Sequence, residues 1–404
     1  MYESELSIRR TPVAYLNMRD PRLLKRFYRF KTLDLIDKES ISGSSPPDIF
    51  VGHYGYPNVY IGPMVPPISG DTTIMSTPES WIGKTIPEIV EYRSMLVRGM
   101  QKENVKNAGS SKVGEMVQEL ALADKYTGVD MGLRSRPALG ISFNDNSEPF
   151  GPSAPLKSLS IDNTRANPAM EKAFFDTDLP ARDALTEMYL KGLPVSQLQK
   201  ALSAGTIGRK GGRKFVPTRW SITAVDDTLG KHRLESIKQY ESIESPVVYE
   251  TVGLDNRWLV FMFPGSWSYE LIEAWYPNTT WNMESKEIAI YSSSELFGGR
   301  KTYAEIGGCY YAARLAVSER LEELKAQARV VILRETHPGY IMPVGVWNVR
   351  EHVRAALKNP PTKFDSTRSA LDYVASRMTI PLSAWIRNST VLRYVLHQRL
   401  LGAQ

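Results

Sequence analysis

The densest apolar run in the chain is "WLVFMF", Trp258 to Phe263. It is strand-sized and far short of the twenty or so residues that cross a bilayer. Around it lie further β-rich runs, "KFVPTRWSITAVDD", "PVVYETVG" and "EIAIYSSS", each set off by turn residues. The alternation in "RWSITAV" suits a sheet with one solvated face, so this segment is expected as a strand ending in Asp226 and Asp227. The clearest helix follows, from about Tyr303 to Ala328, where Ile306, Tyr310, Ala313, Val317, Leu321, Leu324 and Ala328 keep a three-and-four rhythm. "ARVVILRETH" then reads as a strand, and "VWNVREHVRAALKNPP" as a helix stopped by paired prolines. "TIPLSAWIRNSTVLRYVLHQRLLGAQ" reads as one last helix with Pro381 in its first turn. The expected fold is α+β: a mixed or antiparallel sheet body with flanking helices, then a helix-rich, basic C-terminal part beginning near residue 300.

The 404 residues suffice for two or three ordinary domains. The N-terminal "MYESELSIRR" has no apolar core of a secretory signal, so a cytoplasmic protein is expected. Cys309 is the single cysteine, which excludes an internal disulfide and a cysteine-based zinc cluster. Its setting, "GGCYYAARLAV", suits a small buried side chain. The net charge of +6 is concentrated: Arg350 to Gln404 holds nine Lys/Arg against Glu351, Asp365 and Asp372. A second concentration is "GTIGRKGGRKFVPTR", which has no acid. Clustered cations favour phosphate-bearing partners, although such a cluster is also an ordinary solvated surface.

Residues 1–44 read as a basic lead-in and a Ser/Gly/Pro linker. The next run, "SPPDIFVGHYGYPNVYIGPMVPP", packs six prolines and three tyrosines between Ser45 and Pro67. Neither one helix nor one clean central strand tolerates that, so a shaped loop or strands broken by turns is expected. His53 and Tyr56 are its candidate pocket-wall residues, the alternative being turns that pack Tyr54, Tyr56 and Tyr60 into the core. A helix after Ser76 or Thr77 is expected to project Arg93 and Arg98 beside it. "SRPALGISFNDNSEPFGPSAPLKSLSIDN" reads as irregular loop, and "LPARDALTEMYLKGLPVSQLQKALSAG" as helical with Gly205 closing it.

Two sets of residues carry candidate chemistry. Arg209, Lys210, Arg213 and Lys214, with the amides around Gly205, Gly208, Gly211 and Gly212, form a surround for a phosphate, and Arg219 and Trp220 just beyond can stack on a base. The alternative is a hairpin loop with solubilising charge. Asp226, Asp227, Glu270 and Glu273 are candidate ligands for Mg²⁺ in a nuclease or nucleotide hydrolase, set against capping or ion-pair roles. The triplet Glu284 to Lys286 matches a fragment used by some such nucleases.

The ordered set "SPPDIFVGHYGYPNVYIGPMVPP", "GDTTIMSTPESWIGKTIPEIVEYRSMLVRG", "EPFGPSAPL", "LSAGTIGRKGGRKFVPTRWSITAVDDTLGK" and "FPGSWSYELIEAW" resembles the archaeal Nre family. The likeness runs from Ser45 to about Leu357. It implies an archaeal DNA damage repair protein with two family domains, 45–300 and 301–404. The cations by themselves leave open a DNA-binding protein or a sensor or scaffold that holds a nucleotide such as ADP. It also implies docking on the sliding clamp PCNA through a C-terminal Gln, an aliphatic residue three later, and aromatics. Here Gln398 and Leu401 supply the first two, while Gln404 stands where an aromatic plug is called for. Some relatives carry a zinc-finger-like cysteine cluster before "SPP", which this chain lacks.

Overall fold

The computed structural model describes residues 35–138, 147–279, 281–282 and 285–401. They fall into two compact units divided between Leu229 and Gly230. Most of the basic lead-in, Glu284 and Gln404 lie outside the described residues.

The N-terminal unit is built on a six-stranded sheet, in spatial order β1 (Ser40–Ser45), β5 (Thr127–Leu133), β6 (Ser153–Ile161), β4 (Val97–Asn104), β3 (Asn58–Val65) and β2 (Ile49–Val51). Only β4 and β6 run parallel; the other pairs are antiparallel. Two expectations are corrected here. The Ser/Gly linker is strand β1, in which Ile41, Gly43 and Ser45 turn inward and Ser40 and Ser42 outward. Gly43 sits so close to the Pro66 and Ile68 carbonyls that a Cβ would not fit. The last third of the expected loop before Asn163 is largely strand β6, in which Ala154, Leu156 and Leu159 turn inward. The proline-rich run behaves as strands broken by a turn: β2 and β3 pair, and Gly55 takes φ +77° between them.

Helices α1 (Ile86–Ser94) and α2 (Lys112–Leu122) lie between these strands in sequence. Thr85, rather than Ser76 or Thr77, starts α1, through a capping box with Glu88. Three short helices follow: α3 (Pro168–Phe175), α4 (Ala181–Leu190) and α5 (Val195–Ser203). As expected, Gly205 closes α5, at φ +68°. Its N–H bonds the Leu202 carbonyl and that of Thr206 the Ala201 carbonyl, which is a Schellman ending.

The largest correction concerns "RWSITAVDD". It lies in a 20-residue helix, α6 (Thr218–Ile237), not in a strand. Pro217 precedes the first turn and accepts the amides of Trp220 and Ser221. Ser221, Ile222, Val225, Asp226 and Leu229 are buried at helical spacing. Of its β-forming residues, Ile222 and Val225 belong to this buried stripe, while Trp220 stays exposed.

The C-terminal unit holds the second six-stranded sheet, ordered β10 (Ala289–Glu295), β9 (Ser268–Trp275), β11 (Arg329–Thr336), β8 (Asn256–Phe263), β7 (Val247–Gly253) and β12 (Thr362–Lys363). Only β9 and β11 are parallel. Strands β7 to β10 precede residue 300 yet share this sheet with β11. One face, bearing Trp258, Val260, Tyr269 and Ile332, packs on α7 (Gly308–Leu324) and α8 (Trp347–Lys358). The other, bearing Leu259, Phe261, Ile272 and Leu333, packs on α9 (Thr367–Arg377), α10 (Leu382–Asn388) and α11 (Val391–Leu401). The fold is α+β, with two mixed sheets. The last expected helix is two, α10 and α11, broken at Ser389 and Thr390, and Pro381 is the residue before α10. Gln398 and Leu401 fall within α11.

Candidate nucleic-acid interface

The turn between β2 and β3 and the first turn of α6 meet. The Val51 amide donates to the Thr218 hydroxyl at 3.0 Å, fixing the helix start against the hairpin. Arg219 and Trp220 thereby come to the hairpin tip. The Trp220 ring lies 5.2 Å from that of Tyr56, and each residue is 45% exposed. Arg219 Nη1 is 3.4 Å from His53 Nε2, and the His53 ring lies 4.0 Å from that of Tyr54, which is 80% exposed. Burial and the Arg219 charge both lower the His53 pKa, so the imidazole is neutral at pH 7 and accepts from the guanidinium. Two candidate sets, His53 and Arg219 being 166 residues apart in sequence, are thus one surface.

The alternative reading packs Tyr54, Tyr56 and Tyr60 into the core, yet all three are exposed. Gly55 and Pro57 make their segment a hairpin tip, and tips face solvent. Arg93 and Arg98 go the other way. Arg93 is buried on α1, donating to Asp48 at 2.6 Å and to the Pro149 carbonyl at 3.0 Å. Arg98 is on β4, its guanidinium 4.6 Å from the Phe50 ring and 4.9 Å from that of Phe150. Burial opposes the Asp48 charge, but Lys200 and Arg93 outweigh it and hold the carboxyl below its ordinary value. A cavity of about 20 Å³ adjoins this group, lined by Asp48, Arg93, Lys200, Ser203, Thr218 and Ser221, with room for one water.

The Gly/Arg/Lys loop divides its cations. Arg209, Lys210 and Lys214 are exposed. Arg213 turns inward: Nε donates to the Gly208 carbonyl, Nη1 to that of Phe174, and Nη2 to those of Ala173 and Asp176. It closes the C-terminus of α3, where free carbonyls and the helix dipole favour a cation. The four cations therefore do not surround one phosphate.

The acidic candidates do not converge either. Asp226 is buried in α6, accepting from Gln199 Nε2 at 3.4 Å, and Asp227 is half-buried beside it. Glu270 and Glu273, three apart on β9, point to opposite faces of the sheet. Glu270 accepts from the Ser389 hydroxyl and from the amides of Thr390 and Val391 at 2.8 and 2.9 Å, capping α11. Glu273 pairs with Arg334 at 2.7 Å, and Arg334 lies 4.6 Å from the Trp258 ring and 4.8 Å from that of Trp275. Among the described residues no group of three or more acidic, His or Cys side chains is placed to hold a metal ion. No helix among them is long and apolar enough to cross a membrane.

Residues 19–282 match the family described as archaeal Nre, N-terminal, and residues 295–403 that described as archaeal Nre, C-terminal. The chain belongs to the archaeal Nre family. Among its relatives, DNA repair protein NreB of Archaeoglobus fulgidus is 43% identical over 88% of this chain and 90% of its own. DNA repair protein NreA of the same organism is 36% identical over 87% and 88%. DNA repair protein NreA of Haloferax volcanii is 33% identical over 89% and 88%. No solved structure matches the chain.

Proposed function

We propose that this Nre protein acts in DNA repair by binding DNA at unstacked bases, through Tyr56, Trp220 and Arg219, with Lys214, Lys210 and Arg209 contributing phosphate contacts. The observation that carries this reading is the exposed Tyr56–Trp220 pair beside a guanidinium. Aromatic faces accept any base, and a neighbouring cation offsets the phosphate charge. Two large aromatic rings left in water lose the stabilisation of burial, which a stacked base restores.

Fluorescence anisotropy with a labelled single strand and the matching duplex tests the reading. Trp220→Ala and Arg219→Ala are each expected to weaken single-strand binding about tenfold, from the 1–3 kcal/mol that a stacked base supplies. Unchanged affinity in both would overturn it. A mononucleotide such as ADP presents the same base and phosphate chemistry, and its competition in the assay measures how much of the site one nucleotide fills.

A further inference from the structure

The tetrapeptide Gly-Gly-Arg-Lys occurs twice, at 211–214 in the loop described above and at 298–301 in the C-terminal unit. Their backbones differ, Lys210–Gly212 being a 3-10 turn and Gly299 taking φ +76°, but their side chains share a layout. In each, a Cβ on either glycine would meet nothing within 4 Å. In each, the arginine turns inward and closes the loop by donating to carbonyls. Arg300 donates to the carbonyls of Ser294 at 2.8 Å and Tyr303 at 3.2 Å, and to Glu305 at 2.8 Å. Each guanidinium lies 5.4 Å from an aromatic ring, Phe174 for Arg213 and Tyr310 for Arg300. The lysine that follows, Lys214 or Lys301, is left exposed.

The second copy also carries its own aromatics. Phe297 is 48% exposed and Tyr303 59%, on either side of the glycines and Lys301. Lys238 fixes Phe297: its ammonium donates to the Phe297 carbonyl at 2.6 Å and lies 5.1 Å from the ring. Residues 296–304 include two cations and no acid, and the nearby Glu305 carboxylate is already paired with Arg300.

We propose that the loop 296–303 is a second nucleic-acid contact, taking unstacked bases on Phe297 and Tyr303 and a phosphate on Lys301. This rests on the reading that the Tyr56/Trp220 surface binds DNA, and it extends that activity to the C-terminal unit. Exposed rings interleaved with cations match a polyanion that carries flat bases. An acidic protein partner would use the cations and apolar rings but place no base on them.

Crosslinking distinguishes these cases. The full chain is irradiated with a single strand carrying 5-iododeoxyuridine, and adducts are mapped by mass spectrometry. Adducts at Phe297 or Tyr303, in addition to Tyr56 or Trp220, are expected. Adducts confined to Tyr56 and Trp220 would overturn the second contact and leave the first standing. No adducts and no binding would overturn both. Phe297→Ala and Lys301→Glu, each verified as folded by circular dichroism, are expected to weaken single-strand affinity several-fold. Wild-type affinity in both would overturn the proposal.

Discussion

His352 on α8 is a residue whose chemistry only burial explains. Its Nδ1–H donates to the Asn348 carbonyl at 2.8 Å, its ring stacks on Trp258, and Nε2 faces Gly253 so closely that a Cβ there would come within 2.1 Å. Burial, with Arg334 adding to it against the Asn348 bond, lowers its pKa from 6.5 to about 4. The unfolded chain takes up this proton below pH 6.5 and the folded chain only near 4. Stability is therefore lost as pH falls between those values, by about 3 kcal/mol in all. Urea midpoints between pH 7 and 4.5 should show this slope, and His352→Gln should remove its part of it. Gly253→Ala should cost roughly 1–3 kcal/mol in the same measurement through overpacking. The value of Gly205 as a helix stop was legible because Gly after an apolar rhythm has few other meanings. The inward turn of Arg213 was not, since sequence shows a charge but not the carbonyls waiting for it.

At the scale of elements, the sequence read most strands and helices of the C-terminal unit, because both faces of its sheet are buried and its strands are dense in apolar residues. It misread α6. There local β-propensity conflicted with a helical stripe of Ile222, Val225 and Leu229, and tertiary burial decided the matter. That misreading carried the acidic candidates with it, since Asp226 and Asp227 were placed at a strand end. Glu270 makes the same point from the other side. As the cap of α11, its replacement by Ala leaves two backbone amides without their acceptor, at about 1–3 kcal/mol. Chemical denaturation should register that loss, and added Mg²⁺ should not change the wild-type midpoint; a Mg²⁺-dependent midpoint abolished by Glu270→Ala would restore Glu270 as a ligand.

At the scale of the whole molecule, the net charge of +6 makes salt the diagnostic variable for any DNA complex. The logarithm of affinity should fall linearly with the logarithm of salt. Replacing Lys210 and Lys214 together by Gln should flatten the single-strand slope by about 1.4, at roughly 0.7 for each phosphate no longer neutralised. Trp220→Ala should lower affinity at every salt concentration and leave the slope unchanged, because stacking releases no counterions. The sequence by itself determined the α+β class, the family, and the residue types able to hold a nucleic acid, because periodicity, punctuation and long ordered motifs are local properties of a chain. Only the tertiary structure decided which of them lie together. It placed the hairpin tip against the first turn of α6, so that His53 and Tyr56 joined Arg219 and Trp220. It also drew Arg93, Arg213, Asp226, Glu270 and Glu273 into packing, where unpaired buried charges and carbonyls must find partners.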